Sequence, residues 1–258
     1  MNRIRSKGYT DSVVDLMVGK IKRLSAGAQK TLKELACLGN VVEVATLALV
    51  HSGGEETMHA ALSEAVGAGL IYPDGSSYSF LHDRIQQAAY SLIPQEDCAE
   101  VHLTLGRLLL AKMAAEQLAE HPFDVANHFN RGAMLLVEGE EKLRVAAINL
   151  RAGRKANASA AFASARAYFS DGMALLDEGA WGSHYELIFS LSLEWARAEM
   201  LIGNSEKCKQ LIVDLLQRRL SKVDTAAVYQ LKVKSHSLKA ECSEAVASAL
   251  RGFCHRLR

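Results

Sequence analysis

The sequence predicts a mainly α-helical chain in two parts, and three observations carry that expectation. Its 258 residues include only three prolines, and 49% are apolar. Ala and Leu dominate the long intervals between the prolines, which leaves them free for helix. Apolar residues recur at helical spacing along most of the chain, and only residues 70–81 change to a two-residue period. This length fits one large domain or two small ones.

The first part starts at Ser25, which can cap a helix running through Gln29 to Leu38, with Leu32, Leu35, Ala36 and Leu38 on one face and Gly39 as the stop. A second helix is expected from Val42 to about Val50. After Ser52-Gly53-Gly54, Met58, Ala61, Leu62, Ala65 and Val66 have the spacing of a core-facing helix. Leu70-Ile71-Tyr72 and Tyr78-Ser79-Phe80-Leu81 then read as two strands around the turn Pro73-Asp74-Gly75-Ser76-Ser77. Asp83 starts another helix, with Ile85, Ala88, Ala89 and Leu92 inward, and Pro94 closes the module. Three helices and a hairpin make a winged-helix-like domain over residues 25–94.

Beyond Pro94 the pattern is helical only, with segments over 97–113, 123–137, 141–156, 158–176, 184–202, 205–220, 224–237 and 241–256. The last six pair into three hairpins that recur irregularly, so residues 95–258 are expected to form a helical repeat domain resembling tetratricopeptide (TPR) units. In the second hairpin Gly203 marks the turn, and Cys208 fills a slot where a small residue lets two helices approach. The third keeps the slot with Ala245 and has Ala240 in place of the glycine. One such hairpin leaves an apolar face on each side, so stacking on neighbours is what buries it.

Composition narrows the functional classes. Thirty Lys and Arg against 29 Asp and Glu give a net charge of +1, so no global field draws the chain to nucleic acid or anionic lipid. No run of about 20 apolar residues is present to span a bilayer. The five cysteines (Cys37, Cys98, Cys208, Cys242, Cys254) are scattered and never spaced C-x-x-C, which points to reduced thiols in the cytoplasm. No phosphate loop, G-x-G-x-x-G, H-E-x-x-H or G-x-S-x-G motif occurs, so no catalytic residue is assigned. His121 and His128 share a helix face, but two ligands make no metal site, and solvated or capping histidines are the plain reading. DNA binding by the first module is disfavoured, because residues 34–83 contain no Lys or Arg and the helix around 57–68 has nothing to meet phosphate. The basic residues of the second part read as a solvated face, and Trp181, Tyr185 and Trp195 as packing between hairpins.

Long segments of the chain, YTDSVVDLMVGKIKRL, KTLKELACLGNVVEVATLALV, YSFLHDRIQQAAYSLIP and AAINLRAGRKANASAAFASARAYFSDGMALL, resemble the multidomain signalling ATPases of the STAND class. In that family a protein-kinase-like domain is often followed by a P-loop ATPase, a winged-helix and helical-repeat region, and then GAF and histidine-kinase modules. The resemblance covers Tyr9 to about Gly252. It implies that residues 1–24 are the remnant of an ATPase lid and that the ATPase core precedes Met1. The ending RGFCHRLR departs from the family's Leu-rich close.

The resemblance also implies a role for His82 and Asp83. Phe80-Leu81-His82-Asp83 matches in place a Met-His-Asp sequence whose histidine touches the β-phosphate of ADP in related switches, with Asp83 as helix cap. The plain reading is a surface histidine beside a cap. The leading expectation is therefore a non-enzymatic regulatory fragment that binds a protein partner, or its own ATPase and kinase domains. ATP or ADP with Mg belongs to the parent protein and no cofactor to this fragment. A STAND-type transcription regulator and a stand-alone TPR-like adaptor are the alternatives.

Overall fold

The computed structural model describes residues 13–238 and 240–257; residues 1–12, which hold half of the expected lid remnant, lie outside them. The chain divides into two compact units, Met1–Leu135 and Leu136–Arg258.

In the first unit, helix α1 (residues 13–21) precedes α2 (Ala26–Leu38). The Ser25 hydroxyl caps α2 by accepting from the Ala28 N–H, and it donates to Glu64 Oε2 at 2.5 Å. The Ser25 N–H also donates to Glu64 Oε1 at 2.7 Å, and these two bonds hold the Glu64 carboxyl below its usual range. Val41–Glu43 forms strand β1, and α3 runs from Val44 to Val50. The expected second helix thus starts two residues late, because Val41 and Val42 pair with a distant strand. Helix α4 (Glu55–Gly67) buries Met58, Ala61, Leu62 and Ala65. Strands β2 (Ile71–Asp74) and β3 (Ser77–Phe80) complete an antiparallel sheet of order β1-β3-β2, in which Val42 faces Tyr78 and Ile71 faces Phe80. Helix α5 (Asp83–Ser91) follows.

The unit does not close at Pro94. Helix α6 (Cys98–Lys112) packs on α3, and Lys112 Nζ donates to the Leu49 carbonyl at 2.8 Å. After a short helix α7 (Ala115–Glu120), α8 (Pro122–Arg131) packs on α6. The helix expected through Val137 stops at Arg131, and a 3-10 turn (Ala133–Leu135) ends the unit.

The second unit holds three hairpins. They are α9 (Gly139–Ala158) with α10 (Phe162–Ala174), α12 (Tyr185–Leu201) with α13 (Ser205–Leu216), and α14 (Lys222–Leu238) with α15 (Cys242–Leu257); a four-residue α11 (Ala180–Ser183) precedes the second. Each turn has a residue in the left-handed region: Ala160 (φ 57°), Gly203 (φ 83°) and Ala240 (φ 58°). Around it the same two bonds recur. The turn N–H reaches back three residues, and the next N–H reaches back five, Ala161 to Ala156 (2.9 Å), Asn204 to Glu199 (2.9 Å) and Glu241 to His236 (3.0 Å). That is the Schellman closure of a helix C-terminus. Five residues after each turn a small buried residue, Ala165, Cys208 or Ala245, lets the second helix lie against the first. At Gly153 the approach is closer still, since a Cβ there would overlap the Phe169 ring. No helix among the described residues is long and apolar enough to cross a membrane.

Candidate functional site

His82 and Asp83 lie exposed where β3 hands over to α5. The cap of α5 is His82 and not Asp83: His82 Nδ1 accepts from the Arg84 N–H at 3.1 Å, and Asp83 is the first residue inside the helix. Asp83 therefore contributes a negative charge at the positive end of the helix dipole. With Nδ1 accepting, the proton of the neutral imidazole resides on Nε2. His82 thus presents one exposed N–H donor.

His121 and His128 both line a cavity of about 440 Å³ beside β1 and α3. The residue that His128 bonds, however, is His102 on α6: the two Nδ1 atoms lie 2.8 Å apart, and both side chains are buried. Arg131 Nη1 approaches His102 Nε2 at 3.3 Å and the Tyr90 hydroxyl approaches it at 2.9 Å. Since Arg131 can only donate, Nε2 of His102 accepts, its Nδ1–H donates to His128, and His128 carries its own proton on Nε2. Burial, helped by the Arg131 charge, pushes His102 down to about 4. Burial, with the charges of His102 and Arg131, pushes His128 down to about 3. Two neutral imidazoles linked in this way tie α6 to α8 and to the end of α5. Among the described residues no group of three or more His, Cys, Asp or Glu is placed to hold a metal ion. The His102 partnership was legible in one respect, since His102 falls on the stripe of Leu105, Gly106 and Leu109 that α6 buries.

Cys37, Cys98 and Cys242 are free thiols; burial raises the Cys37 thiol to about 12 and keeps it unreactive. Trp181, Tyr185 and Trp195 pack against the core shared by α12, α13 and α14. Lys207 lies 4.7 Å from the Trp195 ring centre and Arg218 lies 5.2 Å from that of Trp181, so part of the basic set is spent on cation-π contacts. Trp195 Nε1 donates to Glu199 at 2.8 Å, and Asn204 donates to the other oxygen of Glu199 at 2.9 Å, which pins the second turn. At the junction of the second and third hairpins the Tyr185 hydroxyl donates to Asp224 at 2.7 Å and Ser221 donates to the same oxygen at 2.6 Å.

The array of hairpins presents a further cavity of about 520 Å³ along α14 and α15, lined by Ala226, Tyr229, Gln230, Val233, Lys234, Ala249 and Gly252. It is largely apolar and offers no cluster of reactive groups, so its chemistry is that of a packing surface.

No family model matches the chain. It is similar to hybrid signal transduction histidine kinase G of Dictyostelium discoideum, 25% identical over 312 aligned positions that take in 97% of this chain. The chain spans 9% of the length of that relative. A crystal structure of a signal transduction ATPase with numerous domains, with a tetratricopeptide repeat sensor, from Pyrococcus horikoshii aligns with 91% of this chain and 38% of its own at 17% identity, with a TM-score of 0.33.

Proposed function

We propose that this chain is a regulatory, protein-binding region of a signal-transduction ATPase of the STAND type, working in serine/threonine or histidine kinase signalling in the cytoplasm. The observation that carries the reading is the similarity of 97% of the chain, at 25% identity over 312 aligned positions, to a hybrid signal transduction histidine kinase. An arrangement of packed hairpins, whose chemistry is that of surfaces, agrees with it. On this reading α2 to α5 with the three-stranded sheet act as a winged-helix-like module, the hairpins act as a TPR-like array, and the chain itself performs no catalysis. Its partners are proteins, or ATPase and kinase domains of the same polypeptide, and not nucleic acid.

ATP or ADP with Mg would be held by the ATPase of the parent. Of this chain's residues His82 fits a contact to it, because its Nε2–H is exposed beside a helix N-terminus. Asp83 fits as a neighbour of the sensor and not as a phosphate ligand, since its carboxylate would repel the anion. The test has two arms. Calorimetric titration of the chain with ATP and Mg is expected to show no saturable binding, and turnover or binding would overturn the assignment. In a protein carrying this region behind its ATPase, His82→Ala is expected to speed ADP release about tenfold, a loss of roughly one charge-assisted hydrogen bond; unchanged release would remove His82 from the switch.

A further inference from the structure

We infer that a cavity between the second and third hairpins is a binding site for a dianionic phosphate group, a ligand beyond the protein-binding reading and independent of it. The cavity measures about 370 Å³, and its walls come from three helices: Lys209 on α13, Lys232 and Ser235 on α14, and Glu244, Ser248 and Arg251 on α15. Helix α14 packs on both α13 and α15, so the site lies where two hairpins of this chain meet.

Counting from the turn residues Gly203 and Ala240 puts these two hairpins in one register. Ser235 then stands at the place of Ala198, Ser248 at that of Leu211, Lys232 at that of Trp195 and Arg251 at that of Asp214. In the second hairpin Ala198 and Leu211 are buried and Trp195 packs against the core. Places that hold hydrocarbon there hold hydroxyls and a cation in the third hairpin, and the cavity opens at them.

Ser235 is 7% exposed and Ser248 5%, and neither hydroxyl has a hydrogen-bond partner among the described residues. A buried hydroxyl left without a partner is costly, and ligand oxygens in the cavity would accept from both. Among the described residues Lys232 and Arg251 have no carboxylate partner, whereas Lys209 meets Glu206 at 3.4 Å. His236, also in the wall, is committed through Nδ1 to Glu241 at 2.6 Å. Lys209, Lys232 and Arg251 thus face a single lining carboxylate, Glu244. That surplus fits a phosphate monoester, which carries about −1.5 to −2 charges and three acceptor oxygens, better than a carboxylate. Arg251 can fork onto two of those oxygens. Ile212 and Ala247 add an apolar wall for the carbon side of an ester. ATP with Mg is a poorer fit, because the metal screens the terminal phosphates and no described Phe, Tyr or Trp lines the cavity to stack on the base.

The full chain, without nucleotide, is titrated calorimetrically at constant ionic strength with a capped alanyl-phosphoseryl-alanine tripeptide and with inorganic phosphate. Saturable binding is expected, and none with the unphosphorylated tripeptide. Tighter binding of the phosphorylated tripeptide makes the ligand a phosphorylated side chain; equal or tighter binding of inorganic phosphate makes it the free ion. Lys232→Glu should weaken binding about tenfold or more. Ser235→Ala, which installs the residue type buried at that place in the second hairpin and so keeps the fold, should weaken it about fivefold. Ser248→Leu, patterned on Leu211, should abolish it by filling the cavity. Lys234→Glu, on the same helix but outside this cavity, alters net charge equally and should leave binding unchanged. Absence of saturable binding to either probe, equal binding of the unphosphorylated tripeptide, an equal loss in Lys234→Glu, or full binding by Ser235→Ala would overturn the inference.

Discussion

Ala160 and Ala240 hold a backbone conformation that brings Cβ close to the neighbouring carbonyl, at a cost of roughly 1–2 kcal/mol for an L-residue; Gly203 meets the same geometry without that cost. Ala160→Gly and Ala240→Gly are therefore expected to stabilise the chain by about 0.5–1 kcal/mol after the added flexibility of the unfolded glycine is counted, and Gly203→Ala to destabilise it by about 1. Thermal unfolding of the three variants reads both signs. A second residue-scale expectation concerns pH. Folding depresses His102 to about 4 and His128 to about 3 from an ordinary 6.5. Above that ordinary value both states hold neutral rings and the pair adds no pH dependence. Below it the unfolded chain takes up protons that the folded chain refuses, so stability falls as pH drops from about 6.5 toward 3. Urea midpoints across that window should decline, and His128→Asn should flatten the decline by removing one of the two rings.

At the scale of elements, the hairpins are held by close approach. Gly153 lets α9 reach the Phe169 ring of α10, and Gly153→Ala is expected to cost about 1–3 kcal/mol by overpacking; a urea midpoint unchanged from the parent would contradict this. The elements also mark how far sequence reading extends. The cap at Ser25, the strands over residues 70–81, the turn at Gly203 with Cys208 and the parallel Ala240 with Ala245 were all visible, because caps, two-residue alternation and small residues after a turn are local signals. Strand β1 was not visible. Val41-Val42-Glu43 runs straight into the apolar helix α3, and three residues are too few to reveal a period. Only the pairing of Val42 with Tyr78 makes it a strand. The His102–His128 bond escaped for the same kind of reason, since spacing within one helix points to His121, whereas the partner comes from another helix.

For the molecule as a whole, the boundary of the first compact unit lies at Leu135 and not at Pro94. Pro94 is a local signal that one helix has ended, but α6 continues to pack on α3 and α8 on α6. The second unit is built from neighbouring hairpins, so its contacts are close in sequence, and such arrays form without the rest of the chain. A fragment of residues 136–258 is expected to keep its helical circular dichroism and to unfold cooperatively, and a featureless melt would refute it. What the sequence determined alone was the mainly helical class, the order and spacing of most elements and the shared register of the second and third hairpins, each encoded within a few turns of chain. The tertiary structure decided which strand completes the sheet, which histidine His128 meets, that His82 and not Asp83 caps α5, and where the packing unit ends. Each of these depends on residues far apart in sequence, whose burial no local pattern records.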